Sequence, residues 1–73
     1  MNNLTEKQKE IYNAIVNYYN DTWRMPRVRD LTSITGKSIK TVWDYLRRIE
    51  DKGYIKINRK QKRGIEIIKE LED

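Results

Sequence analysis

Residues 59 to 63 read Arg-Lys-Gln-Lys-Arg, four cations in five positions. A cluster of this kind cannot be buried, and it suits the holding of a polyanion by charge and hydrogen bonds rather than the transformation of a substrate. The bias extends beyond the cluster. Residues 37 to 64 carry ten basic and three acidic side chains, against five and four before them and one and four after. Such segregation creates a one-sided positive field that attracts nucleic acid first and an anionic membrane surface second. The residue types that perform catalysis are missing. There is no histidine and no cysteine, no glycine-rich phosphate loop and no close pair of carboxylates on an apolar face, so an enzyme is not expected. The acidic residues lack the spacing of a calcium loop, and without thiolate or imidazole no metal or cofactor is expected either. A cysteine-free chain with a polar start and no apolar run approaching the roughly 18 residues of a membrane span reads as a cytoplasmic, nucleoid-associated protein with no small-molecule ligand.

These cations need a scaffold, and 73 residues allow one domain over 1–73 with a single small core. Thr5 with Gln8 three residues on forms a capping box, and Ile11, Tyr12, Ile15, Val16, Tyr18 and Tyr19 make a broad apolar stripe, which predicts a helix over about 5–20. Met25-Pro26 interrupts the helical pattern. A second helix follows over 27–35, with Val28, Leu31 and Ile34 as its apolar contacts and Gly36 as a left-handed cap. Ser38 caps a third helix over 38–52, buried through Val42, Leu46 and Ile49 and ended by Gly53. Two helices joined by so tight a glycine turn form a helix-turn-helix. The period then changes to 2, with Ile55 and Ile57 followed by Ile65 and Ile67, so a hairpin over about 54–68 carries the cationic cluster at its tip. The expected fold is mostly α with a small β-hairpin, a three-helix winged helix-turn-helix. Trp23 and the tyrosines are expected to complete its core.

On a helical wheel at about 100° per residue, Val42, Leu46 and Ile49 share one side, and Lys40, Asp44 and Arg47 lie about 140 to 200° away. Thr41 and Arg48 occupy one flank of that outer face and Trp43 the other. A helix fits the major groove, where Lys or Arg donates to guanine and Asp accepts from cytosine, so Lys40, Thr41, Trp43, Asp44 and Arg47 are the base-facing candidates. Ser38 and Thr41 can donate hydroxyl hydrogen bonds to a phosphate at the helix start. Trp43 has a second reading as a packed flank residue, and Asp44 as an intrahelical partner of Arg47 or Arg48. In the hairpin, Arg59, Lys60, Lys62 and Arg63 suit the phosphate backbone or a minor groove. Arg24, Arg27 and Arg29, around the start of helix 2, offer a further backbone contact.

Leu4-Thr5 with Gln8, Met25-Pro26, Asp30-Leu31 with Gly36, and Arg63-Gly64-Ile65 occur in an order and spacing that resembles the N-terminal DNA-binding domain of the LexA repressor family, from Leu4 to about Ile68. The run Ser38-Ile39-Lys40-Thr41-Val42, then Leu46 and Lys52-Gly53-Tyr54-Ile55, is shared by winged helices of many bacterial regulators. The resemblance implies operator contacts at Ser38, Lys40, Thr41, Trp43 and Asp44. Lys40, Trp43 and Asp44 stand where family members differ among themselves. Family repressors continue into a self-cleaving domain with a serine-lysine dyad that also makes the dimer, and no autoproteolysis is expected from these residues.

The expected function is a sequence-specific regulator of transcription, most simply a repressor, which binds double-stranded DNA as a homodimer on paired half-sites. It would be a stand-alone protein of phage or mobile-element type or an excised domain. The rival reading is a protein-interaction module, an anti-repressor or partner of a host regulator, which requires Trp43 and Tyr45 to form an exposed apolar patch. Structured-RNA binding through the same charge is a third reading, although the chain lacks the stacking platform usual for single strands.

Overall fold

Thr5 starts the first helix by the reciprocal bonding that its spacing from Gln8 predicts. The Gln8 amide donates to Thr5 Oγ1 at 3.2 Å and the Thr5 amide donates to Gln8 Oε1 at 3.1 Å. The computed structural model describes residues 3–58, 60 and 64–69. Within them α1 runs Glu6–Thr22, α2 Val28–Thr35 and α3 Ile39–Asp51, followed by β1 Ile55–Ile57 and β2 Ile65–Ile67. The strands form one antiparallel pair with Ile55 opposite Ile67 and Ile57 opposite Ile65. This is the mostly helical winged helix-turn-helix read from the sequence.

The core is built from the predicted positions. Ile11, Ile15, Leu31, Val42, Leu46 and Ile49 are fully buried, joined by Leu4, Tyr12, Tyr54 and the inward isoleucines of the hairpin, Ile55, Ile57 and Ile65. Each fully buried aliphatic side chain contributes about 1.5 to 3 kcal/mol relative to exposure. Glycine closes both helices of the helix-turn-helix. Gly36 sits at φ 72° and its amide donates to the Thr32 carbonyl at 2.9 Å. Gly53, at φ 85°, closes α3 with the paired bonds Gly53 N–H to Glu50 O and Tyr54 N–H to Ile49 O, the double closure that a left-handed residue after a helix permits.

Three expectations about the core need correction. Trp23 is 80% exposed and Tyr19 36% exposed, because both lie beyond Ile15, the last buried residue of α1. Ile34 is 52% exposed: in a helix of 8 residues the buried line passes through Leu31, which leaves Ile34 on the last turn without a facing element.

Candidate nucleic-acid interface

The Gly36 turn leaves two residues, Lys37 and Ser38, between the left-handed cap and the first residue of α3. Ser38 begins α3 as its N-cap. Its Oγ accepts from the Thr41 amide at 3.2 Å while its hydroxyl donates to Thr41 Oγ1 at 3.0 Å. The two hydroxyls lie together at the start of the helix, whose unpaired amides favour anions.

The remaining side chains sort as the wheel requires. Ser38, Lys40, Asp44, Arg47 and Arg48 are exposed, Thr41 is half-buried, and Trp43 is half-buried against the core. Among the described residues Asp44 forms no ion pair with Arg47 or Arg48; the pairs present are Lys9–Glu6 and Lys37–Glu10, each at 4.0 Å. The outer face of α3 therefore presents cations and a carboxylate not engaged with each other. Tyr45, like Trp43, is half-buried against the core, so the two rings do not make the exposed apolar patch that a protein-interaction module requires.

In the wing, Lys60 is exposed and its amide donates to Asn58 Oδ1 at 3.0 Å, the local turn in which an asparagine side chain replaces a backbone acceptor. Arg59, Lys62 and Arg63 lie outside the described residues. The hairpin is joined to α3 by Glu50, whose Oε2 accepts from the Ile57 amide at 2.7 Å. That amide belongs to the open edge of a two-stranded sheet, where no neighbouring strand can satisfy it.

Sequence reasoning missed three kinds of residue here. Glu50 ties the hairpin to α3. Lys37, counted among the nucleic-acid cations by its position in the chain, instead turns back across the fold: its Nζ lies 4.0 Å from Glu10 Oε1 and 5.9 Å from the centroid of the Tyr45 ring. Lys7 stands in the first turn of α1 and lines a groove with Thr5, Gln8, Thr41, Asp44, Tyr45 and Arg48, which adds an exposed cation beside the Thr41 and Arg48 flank of α3. None of these placements leaves a periodic signal, since each depends on how one element packs against another: the hairpin on α3 for Glu50, and α1 against α3 for Lys37 and Lys7.

The LexA DNA binding domain model matches residues 1–64, which takes in all three helices and the first strand. The chain belongs to the LexA DNA-binding domain family. It is 37% identical over 73 residues to the LexA repressor of Leptospira biflexa, covering 94% of this chain and 34% of that protein. With the LexA repressor of Staphylococcus haemolyticus it shares 39% over 71 residues, 96% of this chain and 34% of the relative. With that of Caldicellulosiruptor saccharolyticus it shares 41% over 66 residues, 89% and 33%. The chain thus spans about a third of the length of the relatives it matches. Among the described residues no helix is long and apolar enough to cross a membrane.

Proposed function

We propose that this chain is the DNA-reading part of a transcriptional repressor. In this reading α3 lies in the major groove of double-stranded DNA and the wing rests on the backbone or in the minor groove. The observation that carries the reading is the outer face of α3. Lys40, Asp44 and Arg47 project from one side of a helix fixed by a tight glycine turn and a buried opposite side, and Asp44 and Arg47 make no ion pair among the described residues. A carboxylate placed among cations argues for base reading over simple charge attraction, because it is repelled by phosphates and repaid only by a donor such as cytosine N4.

Lys40, Thr41, Trp43, Asp44 and Arg47 are the base readers in this scheme. Ser38 and Arg48 flank them toward the backbone, and Arg59, Lys60, Lys62 and Arg63 supply the wing contact. Trp43 stands on the flank of that face, partly packed against the core. A single module of this kind buries only about 600 to 1,000 Å² of protein surface, so specificity comes from two copies on paired half-sites. The test is selection from a randomised double-stranded pool at two salt concentrations. An enriched motif whose affinity falls steeply with salt supports the reading. Binding without a motif would reduce the protein to a charge-attracted ligand and overturn it.

A further inference from the structure

Trp23 departs from the rest of the fold in two ways. It is the most exposed large apolar side chain among the described residues, at 80%, and the only non-glycine among them with positive φ, at 61°. A helix cap in this conformation favours glycine, because a Cβ there crowds the following carbonyl. What the fold uses is the backbone, since the Trp23 amide donates to the Tyr19 carbonyl at 2.7 Å, a bond glycine makes equally well. The elbow between α1 and α2 is nonetheless braced. The Thr22 hydroxyl donates to the Tyr18 carbonyl at 2.8 Å, and its oxygen accepts from the Arg24 amide at 3.2 Å. The indole meets Tyr19 edge-on, with ring centroids 6.2 Å apart at 65°. A braced, strained backbone that holds out a large aromatic is pre-organised for contact, and Trp, Tyr and Arg are the types that dominate interface energetics.

The charges around the indole select its partner. Asp21 and Arg24 are both exposed, stand on either side of Trp23 in the chain, and have no ion-pair partner among the described residues. A uniform polyanion would repel Asp21. A second copy of the same patch, turned by a two-fold rotation, meets it with Asp21 of each copy opposite Arg24 of the other and the indoles between. Its size narrows the setting. Aromatics bury roughly 150 to 250 Å² each, and with Trp23 80% and Tyr19 only 36% exposed the pair supplies at most about a third of the roughly 800 Å² per partner in a standard interface. Free copies therefore stay apart, and the contact forms where two are already held side by side, at high effective concentration.

We infer that the α1–α2 elbow, through Trp23, Tyr19, Asp21 and Arg24, is the surface by which two copies of this chain bind paired DNA sites cooperatively. This rests on the DNA-binding reading above. The test is quantitative binding to duplexes carrying one copy of the selected half-site, or two inverted copies at spacings stepped by single base pairs over one helical turn. At one register the second copy binds about tenfold tighter than the first. That ratio falls to about one in Trp23→Gly, in Asp21→Arg and in Arg24→Asp, and recovers in the double variant Asp21→Arg/Arg24→Asp. Trp23→Gly melts no lower than the parent protein, since glycine suits the left-handed cap. An unchanged ratio in Trp23→Gly, or a double charge variant as deficient as the singles, overturns the inference. So does Arg24→Asp if it weakens one-site binding but spares the ratio, which assigns Arg24 to the DNA backbone. Absence of cooperativity at every spacing, with one-site binding intact, overturns the elbow contact and leaves the DNA reading standing. Absence of sequence-dependent one-site binding overturns both.

Discussion

Glu50 makes no contact with a ligand in the proposed scheme, yet it decides how firmly the wing sits on the reading helix. Its carboxylate accepts from the Ile57 amide at 2.7 Å in a part-buried setting. Glu50→Ala strands that amide on the sheet edge and costs about 1 to 3 kcal/mol, slightly offset by a few tenths from the better helix propensity of alanine. Glu50→Gln keeps an acceptor oxygen at the same reach and loses only the charge assistance, about half of the effect. A chain of this length is stabilised by only about 4 to 11 kcal/mol in total. At about 4 to 8 °C per kcal/mol, a 2 kcal/mol loss lowers the melting temperature by about 8 to 16 °C. Urea titrations of the two variants, followed by circular dichroism and by tryptophan fluorescence, should rank Glu above Gln above Ala with an unchanged slope. Equal losses for Gln and Ala, or a loss below about 0.5 kcal/mol for Ala, would refute the reasoning, because the bond would then contribute nothing that water does not replace.

Arg47→Ala should cost about 1 to 3 kcal/mol on the preferred sequence and little on random DNA if Arg47 reads a base; equal losses on both would place it on the backbone. Lys62→Ala should weaken all sequences alike and reduce the slope of log affinity against log salt by about one unit, measured by fluorescence anisotropy at four or more salt concentrations. Ser38 has two roles that one substitution separates. Ser38→Asp keeps a good N-cap, so thermal stability holds within a few tenths of a kcal/mol, while the new carboxylate at the helix start repels phosphate and weakens DNA binding; binding at parent strength would remove Ser38 from the interface.

The elements were legible in the sequence because their signals are local. Thr5 with Gln8, Gly36, Ser38 and Gly53 each act within four residues, and the structure places α1, α2, α3 and the hairpin where they indicate. The buried and exposed sides of α3 followed from periodicity alone, with Val42, Leu46 and Ile49 inside and Lys40, Asp44 and Arg47 outside. What escaped was whatever needs two distant segments. Composition counts Lys37 as one more cation, and only the packing of α1 on α3 turns it toward Glu10 and Tyr45. Trp23 failed for a different reason. Its size argues for burial in so small a domain, but its position one residue beyond α1 puts it past the reach of the core, and a left-handed tryptophan cap is not something propensity predicts.

Lys52 sits at the far end of α3, and its ammonium donates to Gln8 Oε1 at 2.7 Å and to the Asn3 carbonyl at 2.8 Å. With Lys37 spanning to Glu10 near the other end, side chains at both ends of α3 reach back toward α1. If α3 enters the major groove as proposed, these ties limit its freedom to adjust its angle there, and the adjustment falls to the duplex. Steps that bend or unwind easily between half-sites then favour occupancy even where no side chain touches them. On this view part of the operator's information is mechanical, written in the compliance of base pairs that the protein never contacts.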